Sequence, residues 1–182
     1  MPPVALRAST VLSFLKSQAV THLVGLPDNA SAALFSAVAT DPVVRLVNVS
    51  REGEAFALAA GLWVGGAKPV VVMQNTGFLE SGDALRGTAV RMSIPLVFFV
   101  TYRGYATLPD HIDPTNLPTG HDLLIQPDID SSAVVTEPTL RAWGVPYHQV
   151  RSDDDIGHLR TAFATATQGA RPTAVLVTGS MT

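Results

Sequence analysis

The 182-residue chain is 47% hydrophobic and 15% charged, carries a net charge of −3 and contains no cysteine. These values exclude disulfides, thiolate metal sites and cysteine nucleophiles, and they argue against nucleic-acid binding, which calls for a basic stripe. Because charge is scarce, we expect another subunit to cover part of the surface. No apolar run reaches the roughly 18 residues of a membrane span, and MPPVALRAST lacks a signal-peptide pattern, so we predict a cytoplasmic location.

Helical and extended patterns alternate along the chain. Apolar spacing predicts helices over residues 7–18, 29–40, 51–64, 79–92, 137–143 and 154–168. Short Val-rich runs between them predict strands over residues 21–27, 43–49, 69–75, 95–101, 145–150 and 173–178. Strands that are apolar throughout indicate burial on both faces. We therefore predict an α/β fold, a six-stranded, mainly parallel sheet with helices on both faces, and treat residues 1–182 as a single domain.

Polar residues collect where the predicted strands end, which is where parallel α/β sheets bind their ligands. These segments are Leu26-Pro27-Asp28-Asn29, Ser50-Arg51-Glu52, Asn75-Thr76-Gly77-Phe78 and Thr101-Tyr102-Arg103-Gly104. Asn29 is also a candidate cap for the helix that follows it. The polar stretch 102–133 is too long for a plain connector, so we expect a lid, an interface arm or a partly mobile segment.

The common catalytic and nucleotide-binding motifs are missing. The chain has no GxxxxGK[ST] or GxSxG sequence, and its glycines do not form GxGxxG after a first strand. The stretch DHIDPTNLPTGHD, residues 110–122, contains metal-ligand residue types, but its histidines lack the H-x3-H spacing of zinc sites. A hydrated loop is the preferred interpretation, and we assign no metal ligand.

Two acids open the helix predicted at 51–64. Both oppose the positive end of the helix dipole, an effect of about 0.3–1 kcal/mol, and Glu54 needs no other explanation. Glu52 directly follows a buried strand and begins a helix rich in alanine and glycine, which permits close packing against a second chain. A carboxyl group partly withdrawn from water there can hold or share a proton, as acid–base catalysis requires.

Several segments together resemble the pyrimidine-binding domain of thiamine diphosphate enzymes. They are Glu52 with the following GEAFALAAG, the strand KPVVVMQNTGF, the turn GLPDN at 25–29, and Tyr102-Arg103-Gly104. The nearest likeness is to phosphonopyruvate decarboxylases and the alpha subunit of sulfopyruvate decarboxylase. It covers residues 10–104 well, with Thr76 where those proteins have serine, and it implies a thiamine-diphosphate-binding fold.

The resemblance gives Glu52 a catalytic role. In that family the acid bonds to the ring nitrogen N1′ of the cofactor's aminopyrimidine and favours the imino tautomer that activates the thiazolium ring. It also implies that Asn75, Thr76, Gly77 and Phe78 surround the pyrimidine. For Gly77, a positive φ is an alternative explanation.

The resemblance also implies substrate-binding residues. Asp28 and Asn29 are expected near the pocket. Arg103 suits a phosphonate or sulfonate, and holding a carboxylate within the fold is an equal alternative. His111 is a candidate for substrate contact or proton relay, with a solvated loop as its alternative.

The diphosphate half of the family's site is absent from this sequence. Ser81-Gly82-Asp83-Ala84 is not the family's Gly-Asp-Gly motif. We therefore expect a beta subunit to bind the diphosphate and Mg²⁺, with alpha–alpha or alpha–beta contacts in a hetero-oligomer. The predicted function is the alpha subunit of a split thiamine diphosphate-dependent 2-keto acid decarboxylase with a phosphonopyruvate- or sulfopyruvate-like substrate. A carboligase of the acetolactate-synthase type, a non-catalytic partner-stabilising subunit and a free-standing ligand-binding module are alternatives.

Overall fold

A six-stranded sheet forms the centre of the protein. The computed structural model describes residues 5–110, 112–115 and 120–182. The strands are β1 (His22–Gly25), β2 (Arg45–Asn48), β3 (Pro69–Gln74), β4 (Val97–Thr101), β5 (Tyr147–Val150) and β6 (Thr173–Val177). All neighbouring strands are parallel, in the order β2-β1-β3-β4-β6-β5. The predicted α/β class is thus confirmed.

Helices cover both faces of this sheet. They are α1 (Ala8–Ser17), α2 (Ala32–Ala39), α3 (Glu52–Val64), α4 (Asn75–Glu80), α5 (Gly82–Ala84), α6 (His121–Leu124), α7 (Ser131–Ala142) and α8 (Ile156–Gly169). A π-helical stretch spans Leu85–Val90, and short 3₁₀ turns lie at Tyr105–Thr107 and Asp153–Asp155. Side chains of α1, α2 and α8 pack in one core layer, and those of α3, α4, α7 and the π-helical stretch pack in the other. Among the described helices, none combines the length and apolarity needed to cross a membrane.

The apolar run of β3 is explained by its central position. Val70 and Val72 belong to one core layer, whereas Val71 and Met73 belong to the other, and all four are 0% exposed. Side chains alternate between the faces of a strand, so a strand covered on both sides has no position for a polar residue. The polar residues therefore begin where β3 ends, at Gln74.

The helix after β3 starts earlier than the sequence predicts. The spacing places it at 79–92, but α4 begins at Asn75, and the helical path is then interrupted near Ser81 and loosened into the π-helical stretch. Ser81 donates its hydroxyl proton back to the Gly77 carbonyl, a bond that competes with regular helix geometry. Asn75 and Gly77 therefore lie in a helical turn, not in an extended loop.

Two other boundaries also differ from prediction. Helix α7 begins at Ser131 instead of residue 137, because Asp130 caps it and Pro138 lies inside it, not at its start. Asn29 does not cap α2. The Asp28 carboxylate instead accepts hydrogen bonds from the backbone of Ala30 and Ser31, and the helix starts at Ala32.

The described parts of segment 102–133 pack against the rest of the fold. Ile112 and Ile129 are less than a tenth exposed and form a small apolar cluster with Val134 of α7. Gly104 has a φ of +81° and lies so close to Asp130 that a Cβ atom would be 2.6 Å from the Asp130 Cβ. The beginning of the segment is therefore fixed against the start of α7.

Candidate active site

Glu52 and Gly77 face each other at the carboxyl edge of the sheet. Glu52 is the first residue of α3, and Gly77 lies in the first turn of α4, directly after β3. The expectation that Glu52 directly follows a buried strand is wrong, because β2 ends at Asn48 and is an edge strand with exposed end residues. A Cβ atom at position 77 would lie 2.3 Å from Glu52 Cγ and 2.5 Å from Glu52 Oε1. Only glycine leaves room for this carboxylate. Since Gly77 is not among the positive-φ glycines, that alternative explanation is wrong.

The Glu52 carboxylate is not bonded to any of the described residues. Within residues 5–110, 112–115 and 120–182, it makes neither a hydrogen bond nor an ion pair, although it is partly buried. A polar group that is only partly buried can exchange its water contacts for contacts with a ligand. The Glu52 carboxylate, which lies beside Gly77 and is not bonded to any described residue, is therefore available to a ligand.

The neighbouring acids have structural roles. Glu54 Oε2 accepts hydrogen bonds from the backbone N–H groups of Ser50 at 3.0 Å and Arg51 at 3.3 Å, so it closes the start of α3. Glu80 accepts from the Arg51 guanidinium and from the Gly53 N–H, which ties α4 to α3. The Arg51 hydrogen bond lowers the pKa of Glu80 below its usual range. The expectation that Glu54 is a helix-end charge agrees with these contacts.

The three other residues predicted around the pyrimidine occupy different environments. Asn75 is 0% exposed, and its amide donates to the Arg103 carbonyl at 3.0 Å. Thr76 is exposed and donates to the Gln74 side chain at 2.9 Å. Phe78 is also 0% exposed and packs in the core against Phe98 and Trp143. Asn75 and Phe78 thus hold the α4 turn in place, and their contact with a cofactor remains a prediction.

Asp28 is committed to the fold. Its carboxylate accepts hydrogen bonds from the backbone N–H groups of Ala30 and Ser31, just before α2. It also accepts a hydrogen bond from the Thr101 hydroxyl at 2.5 Å, which links the segment after β1 to the end of β4. Asn29 is exposed beside it. The sequence places Thr101 in a polar segment at the end of a buried strand but does not indicate its bond to Asp28.

Arg103 forms the ion pair that was one of its two predicted roles. Its Nε lies 3.0 Å from Asp130 Oδ2, while the side chain is 60% exposed. This partial exposure keeps the guanidinium accessible at the edge of the sheet. His111 lies outside the described residues. In the part of the chain that the structure describes, no group of three or more histidine or acidic side chains is placed to hold a metal ion.

A buried polar cluster behind this edge was not predicted. We call Tyr102, Glu137, Tyr147 and Gln149 the Glu137 cluster. Glu137 is 0% exposed, and its Oε1 accepts from Gln149 at 3.1 Å and Tyr102 at 3.4 Å. Its Oε2 has no partner among the described residues. The sequence gives no signal for this cluster, because its members come from three separate elements: the end of β4, α7 and β5.

Comparison with known families settles the relationship of the chain. Residues 7–123, more than half of it, match the family model described as thiamine pyrophosphate enzyme, N-terminal TPP binding domain. The chain belongs to this family. The resemblance inferred from Glu52 and the strand that ends before Gly77 is confirmed, and thiamine pyrophosphate is another name for thiamine diphosphate.

Individual relatives are similar over shorter stretches. The chain is 34% identical over 97 residues to a phosphonopyruvate decarboxylase of Streptomyces viridochromogenes, covering 53% of this chain and 24% of that protein. It is 29% identical over 97 residues to a sulfopyruvate decarboxylase subunit alpha of Methanothermobacter thermautotrophicus, covering 53% of this chain and 59% of the relative. The match thus spans about a quarter of the first relative and under two thirds of the second.

A solved structure supports the fold. The benzoylformate decarboxylase of Polynucleobacter necessarius superposes with a TM-score of 0.67 over 95% of this chain and 30% of that one, at 19% identity. At this identity the likeness concerns the architecture alone.

The residues at the edge fit the pyrimidine end of the family's cofactor. Glu52 supplies an acid, and Gly77, which has no side chain, leaves a space in which a flat heterocycle can contact that acid. The segment nearest in composition to a diphosphate motif does not fit that group. Gly82 is buried under Trp143, whose Cη2 would lie 2.3 Å from a Cβ there, and Asp83 pairs with Arg86.

Proposed function

We propose that the chain is the alpha, pyrimidine-domain subunit of a thiamine diphosphate-dependent 2-keto acid decarboxylase. The phosphonopyruvate and sulfopyruvate decarboxylases among its relatives support substrates with a phosphonate or sulfonate group. The observation that carries the proposal is the Glu52 carboxylate, which lies unbonded against Gly77 at the carboxyl edge of the sheet.

Each residue of this edge has a defined task in the proposal. When bound, the cofactor supplies an electron sink for the loss of carbon dioxide. Glu52 holds a proton opposite the pyrimidine nitrogen, and its partial burial keeps that hydrogen bond out of competition with water. Gly77 keeps the space beside the carboxylate open. Asn75 fixes the backbone at Arg103, which leaves the guanidinium near the incoming 2-keto acid.

The diphosphate and Mg²⁺ are proposed to bind to a partner subunit. Two observations support this: the alpha-subunit relatives, and the structural use of Gly82 and Asp83 in this chain. The exposed side of α3 provides a surface for such a partner, since Leu58, Trp63 and Val64 are 38–62% exposed there.

Replacement of Glu52 by Gln tests the proposal. The complex of the chain with its diphosphate-binding subunit should assemble normally and lose at least about 100-fold in kcat for 3-phosphonopyruvate and sulfopyruvate, the scale of one lost acid–base group. The matched control is Glu54→Gln, two residues away in the same turn, which should retain turnover.

The assay also separates the alternatives. Unchanged turnover of the Glu52→Gln complex would contradict the catalytic role and favour a non-catalytic subunit. Products are identified by mass spectrometry: an aldehyde with release of carbon dioxide supports the decarboxylase, whereas an acyloin product would replace it with a carboligase.

A further inference from the structure

A cavity lies at the carboxyl edge beside the Glu52 region. It has a volume of about 290 Å³ and is bounded by the ends of β3, β4 and β6. Gln74, Thr101, Arg103 and the segment 178–180 line it. Gln74 directly precedes Asn75, so the cavity adjoins the turn against which Glu52 lies. Neither the sequence motifs nor the family match, which ends at residue 123, assigns a role to segment 178–180.

This segment presents hydrogen-bond donors that the protein does not use. Among the described residues, the backbone N–H groups of Gly179 and Ser180 and the hydroxyls of Thr178 and Ser180 have no hydrogen-bond partner. Consecutive unpaired backbone N–H groups are a common means of binding anions. Four donors therefore belong to three adjacent residues that line the cavity.

The segment is held firmly on both sides of these donors. The Thr178 N–H donates to the Val150 carbonyl at 3.0 Å, and the Met181 N–H donates to the Ala30 carbonyl at 2.9 Å. Only the two N–H groups between these anchors stay unpaired. A loop fixed in this way does not have to be ordered when a ligand binds, so little affinity is lost to ordering.

Arg103 supplies positive charge to the same cavity. It also contributes to the lining, and its guanidinium is bidentate by nature although only Nε pairs with Asp130. No acidic side chain lines the described cavity. The carboxylates of Asp28 and Asp130, which bond to the lining residues Thr101 and Arg103, also accept backbone hydrogen bonds from Ala30, Ser31 and Ser132. The cavity is therefore rich in donors and free of competing lining acids.

We propose that this cavity binds the tetrahedral oxyanion, phosphonate or sulfonate, at the far end of the 2-keto acid. The assignment makes Thr178, Gly179 and Ser180 determinants of substrate specificity, together with Arg103, and it rests on the proposed decarboxylase function. The hydroxyl and N–H donors of segment 178–180 and the Arg103 guanidinium suit an ion whose oxygens point in several directions. A substrate with only a methyl group at that end leaves these donors unpaired and gains nothing from them.

Inorganic phosphate tests the cavity without any need for turnover. In a titration of the full chain followed by NMR, the amide signals of Gly179 and Ser180 should shift and saturate, with chloride at equal ionic strength causing no such change. Thr178→Val with Ser180→Ala should weaken phosphate binding at least about tenfold, whereas Thr167→Val, which removes an exposed hydroxyl on α8, should not. Shifts confined to other residues, or no saturation, would overturn the assignment.

Kinetics of the assembled complex test the link to the substrate. The double variant should raise the KM for 3-phosphonopyruvate about tenfold or more and leave kcat and the KM for pyruvate within about twofold. Equal losses with both substrates would overturn the specificity role even if phosphate binds. If the wild-type complex decarboxylates neither substrate, the proposed function fails. In that case saturation by phosphate still supports an oxyanion site, and its absence rejects one.

Discussion

The two regions of the carboxyl edge treat their buried polar groups in opposite ways. Glu52 is partly buried and unbonded, and the place beside it is kept empty by Gly77. In the Glu137 cluster, Oε1 of a fully buried carboxylate accepts from Gln149 and Tyr102 while Oε2 has no partner among the described residues, and the Tyr102 hydroxyl also donates to the Ala133 carbonyl at 2.8 Å. Burial of a polar group is favourable only when a hydrogen bond accompanies it. The first region is therefore suited to receive a ligand, and the second to hold the edge in place.

The same contrast distinguishes the residues that the resemblance predicted to bind substrate. Asp28 accepts three hydrogen bonds from its own chain and thus behaves like the Glu137 cluster, although its position in the sequence suggests the pocket. Arg103 lies between the two types, paired through Nε but 60% exposed. Position along the chain alone does not show which of these side chains the fold already uses in hydrogen bonds and ion pairs.

Gly77→Ala should fill the space beside Glu52, and we expect it to have the largest effect on cofactor binding. The new methyl group would displace the Glu52 side chain, so we expect thiamine diphosphate affinity of the assembled complex to fall by about 100-fold or more, with a free energy of unfolding within about 1 kcal/mol of wild type. Calorimetric titration and urea unfolding measure the two quantities.

Gly87→Ala is the matched control for this prediction. It lies in the neighbouring π-helical stretch, where a Cβ would meet nothing within 4 Å. If both variants bind the cofactor as wild type does, the space beside Glu52 has no role in binding.

Tyr102→Phe probes the Glu137 cluster through the pH dependence of stability. Burial, and next the charge of Glu137, raise the pKa of Tyr102 far above its usual value of 10.0. The unfolded chain ionises this tyrosine near pH 10 while the folded chain keeps it neutral, so its contribution to stability is complete below pH 10 and declines above it. The slope is up to about 1.4 kcal/mol per pH unit.

Urea unfolding of wild type and Tyr102→Phe at pH 8, 10 and 11 tests this. At pH 8 the variant should be about 1 kcal/mol less stable because it lacks the hydroxyl bond to Ala133. Above pH 10 that difference should narrow, since phenylalanine does not titrate. A constant difference across this range would show that Tyr102 is not protected from ionisation.

Glu54→Ala compares the two acids in the first turn of α3, Glu52 and Glu54, and should give the smallest effect. Loss of the bonds to the Ser50 and Arg51 N–H groups should cost about 0.5–1 kcal/mol of stability, with turnover of the assembled complex unchanged. Thermal unfolding and steady-state kinetics measure the two. A decrease in turnover similar to that of the Glu52 variant would remove the distinction between the two acids.

The sequence predicted which segments meet at the carboxyl edge, because each of them follows a predicted strand. Glu52 stands next to β2 and Asn75-Thr76-Gly77 next to β3, and parallel strands bring their carboxyl ends to one edge, so their proximity followed from the pattern. The start of α7 could not be predicted, because Pro138 reads as a helix beginning and the Asp130 cap is recognised only from its hydrogen bond to Ser132.

By itself, the sequence determined the α/β class, the six strands, the helices on both faces and the membership suggested by Glu52, since periodicity and short motifs are local properties of the chain. Only the tertiary structure decided which polar groups have partners: Asp28 bonds to Thr101, Glu137 to Gln149, and Glu52 and the N–H groups of Gly179 and Ser180 to no described residue. The physical reason is that a hydrogen bond between distant segments depends on distances of about 3 Å, which arise only when the sheet brings those segments together.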